Sequence, residues 1–88
     1  MKIKKGFLLR EVDGTAIVVA VGAAVREFNG LITLNSVGAF LWREIDKGAT
    51  ESDLVAALLN EYEVEEAVAA KDVSAFVNKM REAGILDE

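Results

Sequence analysis

The side chains best placed to do chemistry are carboxylates. Glu61, Glu63, Glu65 and Glu66 fall in one short run, and Asp72 follows it. Neighbouring carboxylates can share a proton or hold a cation. The chain has no cysteine and no histidine. That removes thiolate nucleophiles, disulfides, zinc–sulfur sites and imidazole bases together. Carboxylates alone suit hard cations, and only loosely. A plainer reading is that the four glutamates are solvated residues at a helix boundary, with Glu65 and Glu66 favoured at the positive end of the next helix. This reading is the stronger one, so no catalytic, cofactor-binding or metal-ligating residue is assigned. Gly6, Gly14, Gly22, Gly30, Gly38, Gly48 and Gly84 are scattered singly and form no phosphate-cradling loop. Asp72 lies beside an apolar stripe, four residues before Phe76. It either anchors a partner's positive charge or donor, or it pairs with Lys79 or Arg81 or caps a local N–H, and the structural reading is preferred.

The elements that position these residues change type along the chain. The first third reads as strand and the rest as helix. Phe7 to Val12 is a first strand, and Asp13-Gly14 is a hairpin turn signal. Thr15 to Val21 is a second strand. It is apolar on both faces and therefore central, covered on both sides or nearly so. Gly22 to Ala24 is a loop, Val25 to Phe28 leads on, and Asn29-Gly30 marks a second hairpin. Leu31 to Leu34 is a third strand that runs without a linker into a helix capped by Asn35 or Ser36. This helix spans about Ser36 to Asp46, carries Val37, Phe40, Leu41 and Ile45 on its apolar stripe, and stops at Lys47-Gly48. Trp42 sits off the stripe and reads as a core residue.

A second helix opens at Thr50-Glu51-Ser52-Asp53, a capping box with Asp in place of the usual Glu or Gln. Its stripe is Leu54, Val55, Leu58, Leu59 and Tyr62. A third helix runs from about Glu65 to Ala83 on Val73, Phe76, Val77 and Met80, with Gly84 as its left-handed stop. Ile85 and Leu86 then fold back. A small three-stranded antiparallel sheet followed by three helices is an α+β composition. It is that of a winged helix-turn-helix, and Lys47-Gly48-Ala49 supplies the tight Gly-containing turn.

The bulk numbers narrow the setting. With 88 residues, the chain is expected to be a single domain over 1–88, with residues 1–5 as a flexible tail. No apolar run approaches the roughly 20 residues that span a bilayer, and no signal-peptide pattern is present. The expected address is the cytoplasm, with no membrane partner. The net charge is −5, which opposes binding to a polyanion. The third helix mixes Lys71, Asn78, Lys79 and Arg81 with Glu65, Glu66, Asp72 and Glu82, a solvated face rather than a basic stripe. A nucleic-acid partner is therefore not expected, although a winged-helix DNA-binding regulator is the obvious alternative for such a fold.

The edge of the sheet is the more informative feature. If Leu31–Leu34 is an outer strand, its unpaired N–H and C=O groups can accept an extended peptide as an added strand. A merely protected edge, or pairing with a second copy into a homodimer, competes with that reading.

The segment Asn29 to Trp42 resembles the "LN–x–x–G/A–x–x–I/L–W" signature of the PqqD-like family. Ile45 to Thr50 is similar to that family's helix, "DG" turn and Thr-capped helix, with the pair split as Asp46-Lys47-Gly48. Tyr62-Glu63-Val64 resembles its "Y/F–D–V" joint, and Lys71-Asp72-Val73 through Leu86 its "D–V…L–x–x–A–G–L–L" ending. The likeness covers nearly the whole chain from Phe7. It implies a RiPP recognition element: a non-catalytic peptide chaperone that binds the leader of a ribosomally made precursor peptide and presents it to a modifying enzyme, often a radical SAM protein. The founding members serve coenzyme PQQ synthesis. In such proteins the leader adds to the third strand, beside the third helix. Carried over, the peptide-binding positions are Glu27, Phe28, Leu31, Ile32 and Thr33, with Val73, Phe76, Val77 and Met80. A small subunit docked permanently on an enzyme is the remaining alternative.

Overall fold

The computed structural model describes residues 1–26 and 31–88. The expected Asn29-Gly30 hairpin, Glu27 and Phe28 lie outside the described residues. The order of elements is β1 (Lys2–Ile3), β2 (Phe7–Val12), β3 (Thr15–Ala20), a 3-10 turn (Gly22–Arg26), β4 (Ile32–Leu34), α1 (Ser36–Asp46), α2 (Glu51–Glu61), α3 (Glu66–Glu82) and β5 (Leu86–Asp87). Strands β2, β3 and β4 form an antiparallel sheet in that order.

The β2–β3 hairpin closes on Asp13 and Gly14, with φ of 51° and 79°. Positive φ at both central residues gives the turn the twist its flanking strands need. The register sets the two faces. Phe7 pairs with Ala20, Leu9 with Val18, Val18 with Ile32 and Ala16 with Leu34. Partners across a ladder share a face, so these residues point together toward the helices. Ala16, Val18 and Leu34 are buried there. The opposite face holds Leu8, Arg10 and Val12 opposite Val19, Ile17 and Thr15, with Thr33 opposite Ile17. It is only partly covered: Leu8 and Val12 are exposed, and Ile17 and Val19 are half-buried. The central strand is thus well covered on one face, where Ala16 and Val18 are buried and Ala20 half-buried, and only partly on the other. It ends at Ala20, one residue earlier than expected, where Val21 N–H turns to the Gly6 carbonyl. The expected Gly22–Ala24 loop is a 3-10 turn that also takes up Val25 and Arg26.

Side-chain caps open α1 and α2, whereas α3 begins after Glu65 without one. Asn35 accepts the Gly38 N–H on its side chain at 2.8 Å. Thr50 and Asp53 complete a reciprocal capping box at 3.0 and 3.1 Å. Asp thus reaches back as well as the commoner Glu would. Helix α3 ends with Gly84 at φ 74°. Gly84 N–H bonds the Arg81 carbonyl, and Ile85 N–H the Met80 carbonyl, which satisfies two orphan acceptors.

Leu41, Trp42 and Ile45 of α1, Leu54 and Leu58 of α2, and Ala69, Val73, Val77 and Met80 of α3 meet the inner sheet face in one core, closed by Ile85 and Leu86. Each large side chain there contributes roughly 1.5–3 kcal/mol by leaving water. Residues 1–5, expected as a loose tail, include a paired strand. Lys2–Ile3 lies antiparallel to Leu86–Asp87, and Lys4 N–H bonds the Ile85 carbonyl at 2.8 Å.

Candidate functional site: an open strand edge and the cleft at its end

A three-stranded sheet has two outer strands, and their edges differ. β2 carries Arg10 and Glu11, and Glu11 reaches Arg43 at 2.9 Å. Charged side chains along an edge discourage strand addition. β4 carries only Ile32, Thr33 and Leu34. Among the described residues, it pairs with β3 alone. Its outer N–H and C=O groups therefore form the uncharged edge. Leu31, just before it, is 73% exposed. Ile32 is half-buried on the helix side, and Thr33 is exposed on the far side.

The chain stays extended through Asn35, with φ −76° and ψ −179°. At that point a cleft of about 240 Å³ opens, lined by Asn35, Val37, Gly38, Leu41, Asp72, Ala75 and Phe76. The first turn of α1 forms one wall and one flank of α3 the other. The walls approach closely because Gly38 has no side chain. A Cβ there would stand 3.3 Å from Leu34 Cβ, 3.3 Å from Asn35 Oδ1 and 3.4 Å from the Phe76 ring.

The α3 residues expected at the groove divide sharply. Phe76 is half-buried and lines the cleft. Val73, Val77 and Met80 are 1%, 0% and 0% exposed and fill the domain's own core. They are corrected from groove residues to core residues. The physical reason is rotation: the stripe that a helix shows in sequence is the one its own fold uses first. The cleft takes the adjoining flank, Asp72 and Ala75, one and two positions round from that stripe. Asn35, Val37, Gly38, Leu41 and Ala75 were not singled out as site residues. Their signal was the cap: a helix whose first turn contains Gly beside an Asn cap can pack closely against a neighbour.

Asp72 is exposed, and among the described residues its side chain makes neither the ion pair nor the local cap that the structural reading expected. Arg81 is committed elsewhere, to Glu88 at 2.7 Å and to Asn78 at 2.8 Å. The Arg81 guanidinium holds the Glu88 carboxyl below the usual carboxylate range. The bond from Thr50 N–H does the same for Asp53. Glu61, Glu63, Glu65 and Glu66 are exposed, and no group of three acidic residues among the described ones converges to hold a metal. Trp42 is buried, as its reading as core required, and no helix among the described residues is long and apolar enough to cross a membrane.

These features define a small α+β protein: a three-stranded antiparallel sheet, three helices behind it, and an uncharged strand edge leading into a cleft of mixed apolar and polar lining. The chain belongs to the PqqD family, whose model, described as coenzyme PQQ synthesis protein D, matches residues 6–86. Two solved structures share the fold. One is TbiB1 in complex with the TbiA(beta) leader peptide, with a TM-score of 0.78 and 20% identity over 99% of this chain and 95% of that one. The other is lasso peptide synthetase B1 complexed with the leader peptide, with a TM-score of 0.75 and 23% identity over 96% and 93%. No curated protein matches in sequence.

Proposed function

We propose that this chain binds the leader segment of a ribosomally made precursor peptide by strand addition and delivers it to a modifying enzyme, without catalysing a step itself. The observation that carries this reading is the uncharged edge of β4 running into the Phe76 cleft. Main-chain bonds along the edge supply affinity, and the cleft selects side chains. Family membership supports the reading, as do two structures of the same fold that are described with leader peptides bound. The absence of His and Cys from the sequence narrows the catalytic alternatives. Of the proposed contacts, Leu31, Ile32, Thr33 and Phe76 are accessible. Glu27 and Phe28 remain proposals from the family likeness.

The test is a titration of ¹⁵N-labelled protein with synthetic peptides tiling the leader of a precursor encoded beside it. The amide signals of Ile32, Thr33 and Leu34 are expected to move together with those of Val37 and Phe76. Saturation with these signals unmoved would place the peptide elsewhere. The variant Ile32→Asp, checked for its fold by circular dichroism, is expected to weaken binding by roughly tenfold or more, since it puts a charge where an apolar contact forms.

A further inference from the structure

We propose that Asp72 is a specificity residue of the cleft and that the segment bound there carries a lysine or arginine next to the apolar side chain that enters it. The inference rests on the peptide-binding reading above and concerns which peptides are taken.

Three observations carry it. First, Asp72 is the one charged residue among those lining the cleft, whose other walls are Asn35, Val37, Gly38, Leu41, Ala75 and Phe76. Second, its carboxylate has no partner among the described residues, while Glu11, Glu44 and Glu88 each have a basic neighbour. Third, Asp72 stands one helical turn before Phe76, so the charge and the ring lie on one flank of α3 about 5–6 Å apart at their Cβ atoms. Successive residues of an extended strand are about 3.3 Å apart. A strand passing the cleft therefore brings an apolar residue to Phe76 and a residue one or two positions away to Asp72.

The charges nearby do not reverse the field. The first turn of α1 also faces the cleft, and a helix N-terminus amounts to about half a positive charge. One of its N–H groups, that of Gly38, is already taken by Asn35. A full carboxylate outweighs what is left. Lys71 directly precedes Asp72, but adjacent residues of a helix do not face each other. Lys79 is two turns further along α3, about 10 Å down the axis, near the screening length of physiological salt. A short edge strand strengthens the case, because a partner held by few main-chain bonds must draw its selectivity from side chains.

The experiment is a selection from a phage-displayed library of random dodecapeptides on the intact wild-type protein and on Asp72→Asn in parallel. Wild type is expected to enrich Lys or Arg at a fixed one- or two-residue offset from a large apolar residue, and Asp72→Asn to lose that enrichment while keeping the apolar one. For a selected peptide, replacing its basic residue with Gln should cost about three- to fivefold in affinity on wild type, as for an exposed ion pair, and almost nothing on Asp72→Asn. Asp72→Lys should favour Glu at the same offset. Binders without a basic preference on wild type would overturn the role of Asp72 and leave the groove intact. The absence of any binder would overturn the groove and this inference together.

Discussion

Phe76 packs against the bare backbone of Gly38: a Cβ at position 38 would stand 3.4 Å from the ring. This contact joins α3 to the first turn of α1 and sets the width of the cleft. In an open helix, Gly→Ala stabilises by about 1 kcal/mol. Here the new methyl meets Leu34 Cβ and Asn35 Oδ1 at 3.3 Å, and both must yield by a few tenths of an ångström, while the Phe76 ring at 3.4 Å is just in contact. Gly38→Ala is expected to forfeit the propensity gain, ending between neutral and about 2 kcal/mol destabilised. Urea unfolding followed by the fluorescence of Trp42, the only tryptophan, measures this. A clean stabilisation would show that the cleft wall gives way freely.

The division of α3 into core and cleft is testable through stability alone. Met80→Ala is expected to cost about 2–5 kcal/mol, the range for emptying a closed apolar site. Asp72→Ala and Lys79→Ala are expected to stay within about 0.5 kcal/mol of wild type. If Met80→Ala proved as mild as those two, the helix would be rotated from the orientation described.

The two sheet faces make a similar contrast. Leu8 is 44% exposed and Val12 53%, whereas Val18 is 0%. Leu8→Lys and Val12→Lys are expected to leave the urea midpoint nearly unchanged. Val18→Lys is expected to abolish cooperative unfolding, because a lone buried charge has no partner there. Equal tolerance at all three positions would contradict the register.

Acid sensitivity follows from two depressed carboxyls. Asp53 is lowered by the bond from Thr50 N–H and Glu88 by Arg81. A carboxyl whose folded pKa lies below its unfolded value adds stability above the unfolded value, near pH 4. That stability is lost as the pH falls through the folded value. The urea midpoint is therefore expected to hold from pH 7 to about 5 and to fall below about 4. The double variant Asp53→Asn, Glu88→Gln should flatten that fall. An unchanged slope would assign the acid response to other groups. Thr50→Ala should separately cost about 1 kcal/mol at neutral pH by removing the cap.

Local chemistry made much of this fold legible. Asp13-Gly14, Asn35, the Thr50–Asp53 pair and Gly84 each carry their own geometric instruction, and the structure follows each one. The uncharged β4 strand was equally readable. The β1–β5 pairing was not. Two-residue strands from opposite ends of the chain have no turn between them and no periodicity of their own. The cleft was half legible. Apolar spacing identified the stripe Val73, Phe76, Val77 and Met80, but spacing alone does not say which members the core will consume. Asp72 and Ala75 line the cleft because α3 packs beside the first turn of α1, and that packing is set by contacts distant in sequence.

The brevity of β4 bears on timing. Alternate residues of an antiparallel strand turn their backbone groups to opposite sides, so three residues offer an added strand the groups of only one or two. At about 0.5–1.5 kcal/mol net per bond, that backbone contribution stays small. In the proposed reading, a guest held this way dissociates readily unless its side chains fit. Dwell time then becomes the quantity that sequence differences among peptides would tune, and an edge this short favours repeated loading and release over storage.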